Sequence, residues 1–70
     1  MDFNRVFDGV KISFSYRWSD GAMQVRNEDN GMGFEGTVRM EDLTACLRRL
    51  QDSIGIPNQA ILYITSRLAA

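Results

Sequence analysis

The chemistry open to this 70-residue chain is set by one cysteine, nine carboxylates, eight basic side chains and a complete lack of histidine. Without imidazole there is no Ser/His or Cys/His nucleophile pair, and the single thiol, Cys46, cannot furnish a zinc site or close an intramolecular disulfide. Asp2, Asp8, Asp20, Glu28, Asp29, Glu35, Glu41, Asp42 and Asp52 are spread along the chain, whereas carboxylate catalysis needs two acids converging in one cleft. Glu28-Asp29 stands beside a turn but lacks the acid, glycine and spacing pattern of an EF-hand calcium loop. The sequence therefore assigns no catalytic, metal-binding or cofactor-binding residue. The expectation is a protein that is not an enzyme and needs no cofactor.

Contact chemistry remains. Seven of the eight basic residues are arginines, planar cations that stack and pair in a fork. Arg48-Arg49 is the one adjacent basic pair, Arg17 and Arg26 fall on the polar side of two strands, and Trp18 ends a strand where a covering helix would not reach. Trp18, Arg17, Arg26, Arg48 and Arg49 are thus the candidate partner contacts, Trp18 first among them. The plainer readings are a solvated helix face for Arg48 and Arg49, and a small hydrophobe on a buried stripe for Cys46. Met23 and Met40 read as core fillers.

Gly31-Met32-Gly33-Phe34-Glu35-Gly36-Thr37-Val38 matches G-x-G-x-x-G-x-V and resembles the glycine-rich loop of protein kinases and, in part, the dinucleotide-binding fingerprint. The first resemblance implies a lysine on a following strand, but the one lysine, Lys11, lies upstream; the second implies a helix opening at the glycines, where a strand is predicted instead. A turn at Gly31 with a bulge or close backbone approach at Gly33 and Gly36 accounts for the glycines. Asn30-Gly31-Met32-Gly33-Phe34 also resembles a fragment of the first ribonucleoprotein motif of RNA-recognition domains, with the leading basic residue absent and Met32 in place of an aromatic.

The elements that position these residues are read from periodicity. Val10, Ile12, Phe14, Tyr16 and Trp18 alternate with Lys11, Ser13, Ser15 and Arg17, which predicts a half-buried strand. Asp20-Gly21 and Asn30-Gly31 suit two-residue type I′ turns. Closing both pairs Trp18 with Met23, Tyr16 with Val25, Val25 with Gly36 and, on the polar face, Arg26 with Glu35. Phe3 and Phe7 either join the apolar face through a third turn at Asp8-Gly9 or belong to a loose arm. Met40, Leu43, Leu47, Leu50 and Ile54 recur at helical steps with Cys46 beside them, acids in the first turn and Gly55 and Pro57 as the stop; Arg48 and Asp52 form an i,i+4 pair. The β-branched run 58–65 favours a final strand, and Pro57 opening a second helix that buries Ile61, Ile64 and Leu68 is the alternative.

The expected fold is one α+β domain over residues 1–70. It consists of a three-stranded antiparallel meander with room for an extra N-terminal strand, one amphipathic helix packed on one face, and a final strand or second helix. The expected function is that of a small protein-binding module of adaptor or inhibitor type, of the kind phages and bacteria use as accessories, with self-association as a homodimer one way to complete a small core. Lys11, Arg17 and Arg26 on the polar sheet face would serve nucleic-acid binding, but a net charge of −1 argues against a phosphate-tracking protein. No apolar run is long enough to cross a membrane and no basic-then-apolar leader opens the chain, which gives a cytoplasmic expectation. Leu68-Ala69-Ala70 resembles the end of a bacterial degradation tag.

Overall fold

Asp8 and Gly9 have φ of 51° and 80°, the two positive values a type I′ turn requires. In the structure, a computed structural model that describes residues 1–68, they join β1 (Asp2–Phe7) to β2 (Val10–Tyr16). Phe7 lies opposite Val10 and Phe3 opposite Phe14, so the N-terminal segment is a paired strand. Then follow β3 (Ala22–Asn27) and β4 (Gly33–Thr37) in an antiparallel sheet of order β1-β2-β3-β4.

The next two turns share a different design. In each, a four-residue loop, 18–21 or 28–31, ends on a glycine with positive φ, Gly21 at 75° or Gly31 at 76°. The glycine N–H donates back to the residue before the loop, Gly21 to the Arg17 carbonyl at 2.9 Å and Gly31 to the Asn27 carbonyl at 2.8 Å. The third loop residue caps the exit: Asp20 Oδ1 accepts from the Ala22 N–H at 3.1 Å, and Asn30 Oδ1 accepts from the Met32 N–H at 2.9 Å, the local bond that suits Asp and Asn to turns.

These longer loops move the register by two residues from the two-residue reading. Tyr16 pairs with Met23, Phe14 with Val25, Val25 with Phe34 and Met23 with Gly36. Side chains alternate with period two, so a slip of two changes partners without changing faces. The apolar face is the predicted one; the Arg26–Glu35 pair is not formed, since Arg26 now stands opposite Gly33 and Gln24 opposite Glu35.

After β4 a 3₁₀ turn, Met40–Asp42, leads into α1 (Leu43–Ile54), which ends on Gly55 at φ 79°. Leu43, Cys46, Leu47, Leu50 and Ile54 are its buried stripe. Met40, read as core, is instead 38% exposed, because the helix begins only after it. The 58–65 segment is no strand: α2 spans Asn58–Leu68 and buries Ala60, Ile61, Ile64 and Leu68. The Pro57 carbonyl takes the first turn's bonds, from Ala60 at 3.0 Å and Ile61 at 3.3 Å, a place where the missing proline N–H costs nothing. Helical spacing prevails over β propensity because it buries three aliphatic residues together and leaves Leu62 outside.

Both helices lie on one face of the sheet. α2 meets β1 through Tyr63, whose ring centre is 5.3 Å from Phe3 and 5.4 Å from Phe7. α1 is stitched to the β3–β4 end by Asn27, a buried polar side chain, 5% exposed. Its Nδ2 donates to the carbonyls of Ile54 at 3.0 Å and Gly55 at 3.1 Å, and its Oδ1 accepts from the N–H groups of Asp29 and Asn30. Asn30 Nδ2 adds a second bond to the Ile54 carbonyl, at 3.2 Å. Two asparagines thus satisfy the end of α1, where backbone carbonyls lack helical partners. Ala69 and Ala70, on which the degradation-tag reading rests, lie outside the described residues.

Candidate functional site

The sheet has two outer strands, β1 and β4, and they are built differently. Along β4 the Asn27 N–H donates to the Met32 carbonyl and the Val38 N–H to the Gly21 carbonyl. Antiparallel pairs alternate between bonded and non-bonded, so Met32, Phe34, Gly36 and Val38 turn their backbone groups toward β3. The N–H and C=O of Gly33, Glu35 and Thr37 therefore point away from the sheet, an unused ladder three residues long.

Beside that ladder, on the helix side, lies a groove of about 590 Å³ between β4 and α1. Phe34, Val38, Ala45, Cys46 and Leu50 supply its apolar wall, and Arg39, Asp42 and Arg49 its rim. Glycine shapes the strand that borders it. A Cβ on Gly36 would come within 3.0 Å of the Phe34 ring, and one on Gly33 within 2.9 Å of the Val25 carbonyl oxygen. Gly36 lets the Phe34 ring lie along the strand, and Gly33 lets β4 close on β3. The G-x-G-x-x-G run is accordingly one turn glycine and two strand glycines, with no helix N-terminus at which a phosphate would sit.

β1 carries an outward ladder of the same length, but its helix side is occupied where that of β4 is open. Its outward backbone groups belong to Asp2, Asn4 and Val6, because the Met1–Tyr16 pair exchanges bonds in both directions at 2.9 Å and sets the alternation. The space beneath it is filled by charge: Arg5 Nη1 donates to the Tyr63 hydroxyl at 3.2 Å, and the Arg5 and Arg67 guanidinium carbons each sit 4.7 Å from the Tyr63 ring centre. An inward-turned charge at a sheet edge deters a further strand.

The five predicted contact residues do not converge. Trp18 heads the 18–21 loop, 59% exposed and edge-on to Tyr16. Arg17 beside it forms a fork with Asp20, at 2.9 and 2.6 Å; this pairing first, and the Ala22 N–H second, hold the Asp20 carboxyl down at about 2. Arg26 pairs with Glu28 at 2.8 Å. Arg48 bonds Asn58 Oδ1 at 2.5 Å, linking α1 to α2 in place of the predicted Asp52 pairing. Only Arg49 stands at the groove. With Arg17 and Arg26 already holding carboxylates, the polar sheet face presents a phosphate, among the described residues, with a single uncommitted cation, Lys11.

Cys46 is buried in the groove wall, and desolvation pushes its thiol up, the nearby Arg49 opposing in smaller measure. The thiol is protonated at neutral pH and lends the groove an apolar surface. Among the described residues no cluster of His, Cys, Asp and Glu could hold a metal, and no helix is long and apolar enough to cross a membrane. Gly33, Phe34, Glu35 and Thr37, which make the edge, were read from sequence within the 31–38 glycine run as turn and strand and not among the candidate partner contacts. Compared with family models, curated proteins and solved structures, the chain matches none.

Proposed function

We propose that this chain is a non-enzymatic protein-binding module of adaptor or inhibitor type that takes an extended segment of its partner as a fifth strand on β4. The observation that carries the reading is the difference between the two edges: an unused backbone ladder at Gly33, Glu35 and Thr37 borders an open apolar groove, while the β1 side is filled by Arg5 and Tyr63. Strand addition draws affinity from main-chain bonds and specificity from alternate side chains entering pockets, and both parts are present at β4. Nucleic-acid binding has less support, since two of the three cations of the polar sheet face are engaged by their own carboxylates.

The test is proline at an outward N–H. Thr37→Pro removes one donor of the unused ladder and none of the bonds to β3, so the sheet survives. Asn4→Pro does the same on β1 and is the control. With a displayed library of linear ten-residue peptides as probe, the unmodified protein and Asn4→Pro are expected to enrich the same binders, and Thr37→Pro to lose them. Undiminished binding by Thr37→Pro, with its amide spectrum showing the fold intact, would overturn the proposal.

A further inference from the structure

The chemistry of the added strand can be read from what β4 presents on its two faces. Residues of a neighbouring strand alternate, one set facing the groove and the other lying beside Gly33, Glu35 and Thr37 on the polar face. On the groove side the wall is Phe34, Val38, Cys46 and Leu50, which suits aliphatic side chains. On the polar side Glu35 is the one charged residue of β4, and its cross-strand neighbour is the neutral Gln24. Arg26, the cation that could have answered Glu35, stands opposite Gly33 and pairs with Glu28 at 2.8 Å. Among the described residues Glu35 has no ion-pair partner.

A second copy of the chain does not supply what is missing. The outward-facing residues of β4 are Gly33, Glu35 and Thr37, and those of β1 are Asp2, Asn4 and Val6; none is a cation, and Arg39, the next outward position beyond Thr37, already faces Glu41 at 3.5 Å and gives its carbonyl to the Asp42 N–H. Antiparallel addition of either strand to β4 would set Glu35 opposite a neutral or acidic side chain of that strand, and like charges directly opposite are destabilising. We infer that the strand β4 accepts belongs to a different protein and reads aliphatic-basic-aliphatic, its lysine or arginine facing Glu35 and its flanking aliphatic side chains entering the groove between β4 and α1. This rests on strand addition at β4 as the mode of binding and adds the partner's pattern to it.

The experiment repeats the library selection on the full chain and on Glu35→Arg. The unmodified protein is expected to enrich peptides with a basic residue between two aliphatic ones. Glu35→Arg is expected to enrich an acidic residue at the same place with the aliphatic positions kept. A peptide selected on the unmodified protein should bind Glu35→Arg about 2- to 10-fold more weakly, the range for replacing an opposite-charge cross-strand pair by a like-charge one, with Glu35→Gln between. Identical motifs from both proteins, while Thr37→Pro still abolishes binding, would overturn the aliphatic-basic-aliphatic pattern and leave strand addition standing. Undiminished binding by Thr37→Pro, or no enriched peptide at all, would remove both. A concentration-dependent dimer that Thr37→Pro dissolves would assign the edge to a second copy and overturn the claim of a different protein.

Discussion

Two side chains carry more of the architecture than their polarity suggests. Asn27 uses both faces of its amide, donating to Ile54 and Gly55 and accepting from Asp29 and Asn30. A buried group that loses its partner costs about 1–3 kcal/mol, and Asn27→Ala leaves several such groups. A loss of about 2–4 kcal/mol is expected in urea unfolding, a large share for a domain whose total is on the order of 4–10 kcal/mol; a change under about 0.5 kcal/mol would mean that water replaces the amide at no cost. Asp20 works at the surface. Its carboxyl, held at about 2 by Arg17 and the Ala22 N–H, is lower in the folded chain than in the unfolded one. Its contribution is therefore complete above the ordinary carboxylate range and is lost as pH falls toward 2. An acid titration followed by carbon NMR should place the Asp20 midpoint near 2, and Arg17→Ala should return it toward 3.8; an unmoved midpoint would leave the Ala22 N–H as sole cause.

At the scale of elements, α2 offers the clearest discrimination. In a strand Leu62 and Ile64 would share a face and cost alike on truncation, whereas in α2 Ile64 is fully buried and Leu62 is 52% exposed. Ile64→Ala is expected to cost about 2–5 kcal/mol and Leu62→Ala under about 0.5 kcal/mol; equal costs would contradict the helix. The sheet register has its own test, a double-mutant cycle. Arg26 with Glu35 should show no coupling, and Arg26 with Glu28 about 0.2–1 kcal/mol; the reverse would restore the two-residue turns. These elements also show what a sequence can and cannot reveal. The faces of β2 and β3 were legible because alternation survives any even slip, while their register was not, because Asp-Gly and Asn-Gly close a four-residue loop as readily as a two-residue one. The α1 stripe was legible over three turns, but the shorter run 58–65 satisfied both periods until the fold decided it. The β4 edge was illegible for a different reason: which strand lies outermost, and what fills the space beneath it, are properties of the assembled sheet. Of the five candidate contact residues read from sequence, only Arg49 stands beside that edge.

The whole molecule has the surface and dimensions of a compact domain of its length. Its accessible area of 4284 Å² compares with about 4,400 Å² for a compact monomer of this mass, and its radius of gyration of 10.8 Å with about 11 Å for a domain of this length. α1 and α2 together cover the apolar sheet face that a single helix would have left open. Sedimentation over a range of concentrations is expected to give one species near 7.9 kDa. The proposed docking feature is the edge of β4 beside its groove, and amide hydrogen exchange reads that edge directly. Measured with and without a peptide selected from the library, exchange at Gly33, Glu35 and Thr37 should slow on binding, while Asp2, Asn4 and Val6 on the opposite edge stay unchanged. Protection at β1, or at the 18–21 loop around Trp18 with β4 unaffected, would contradict the assignment of β4 as the docking strand.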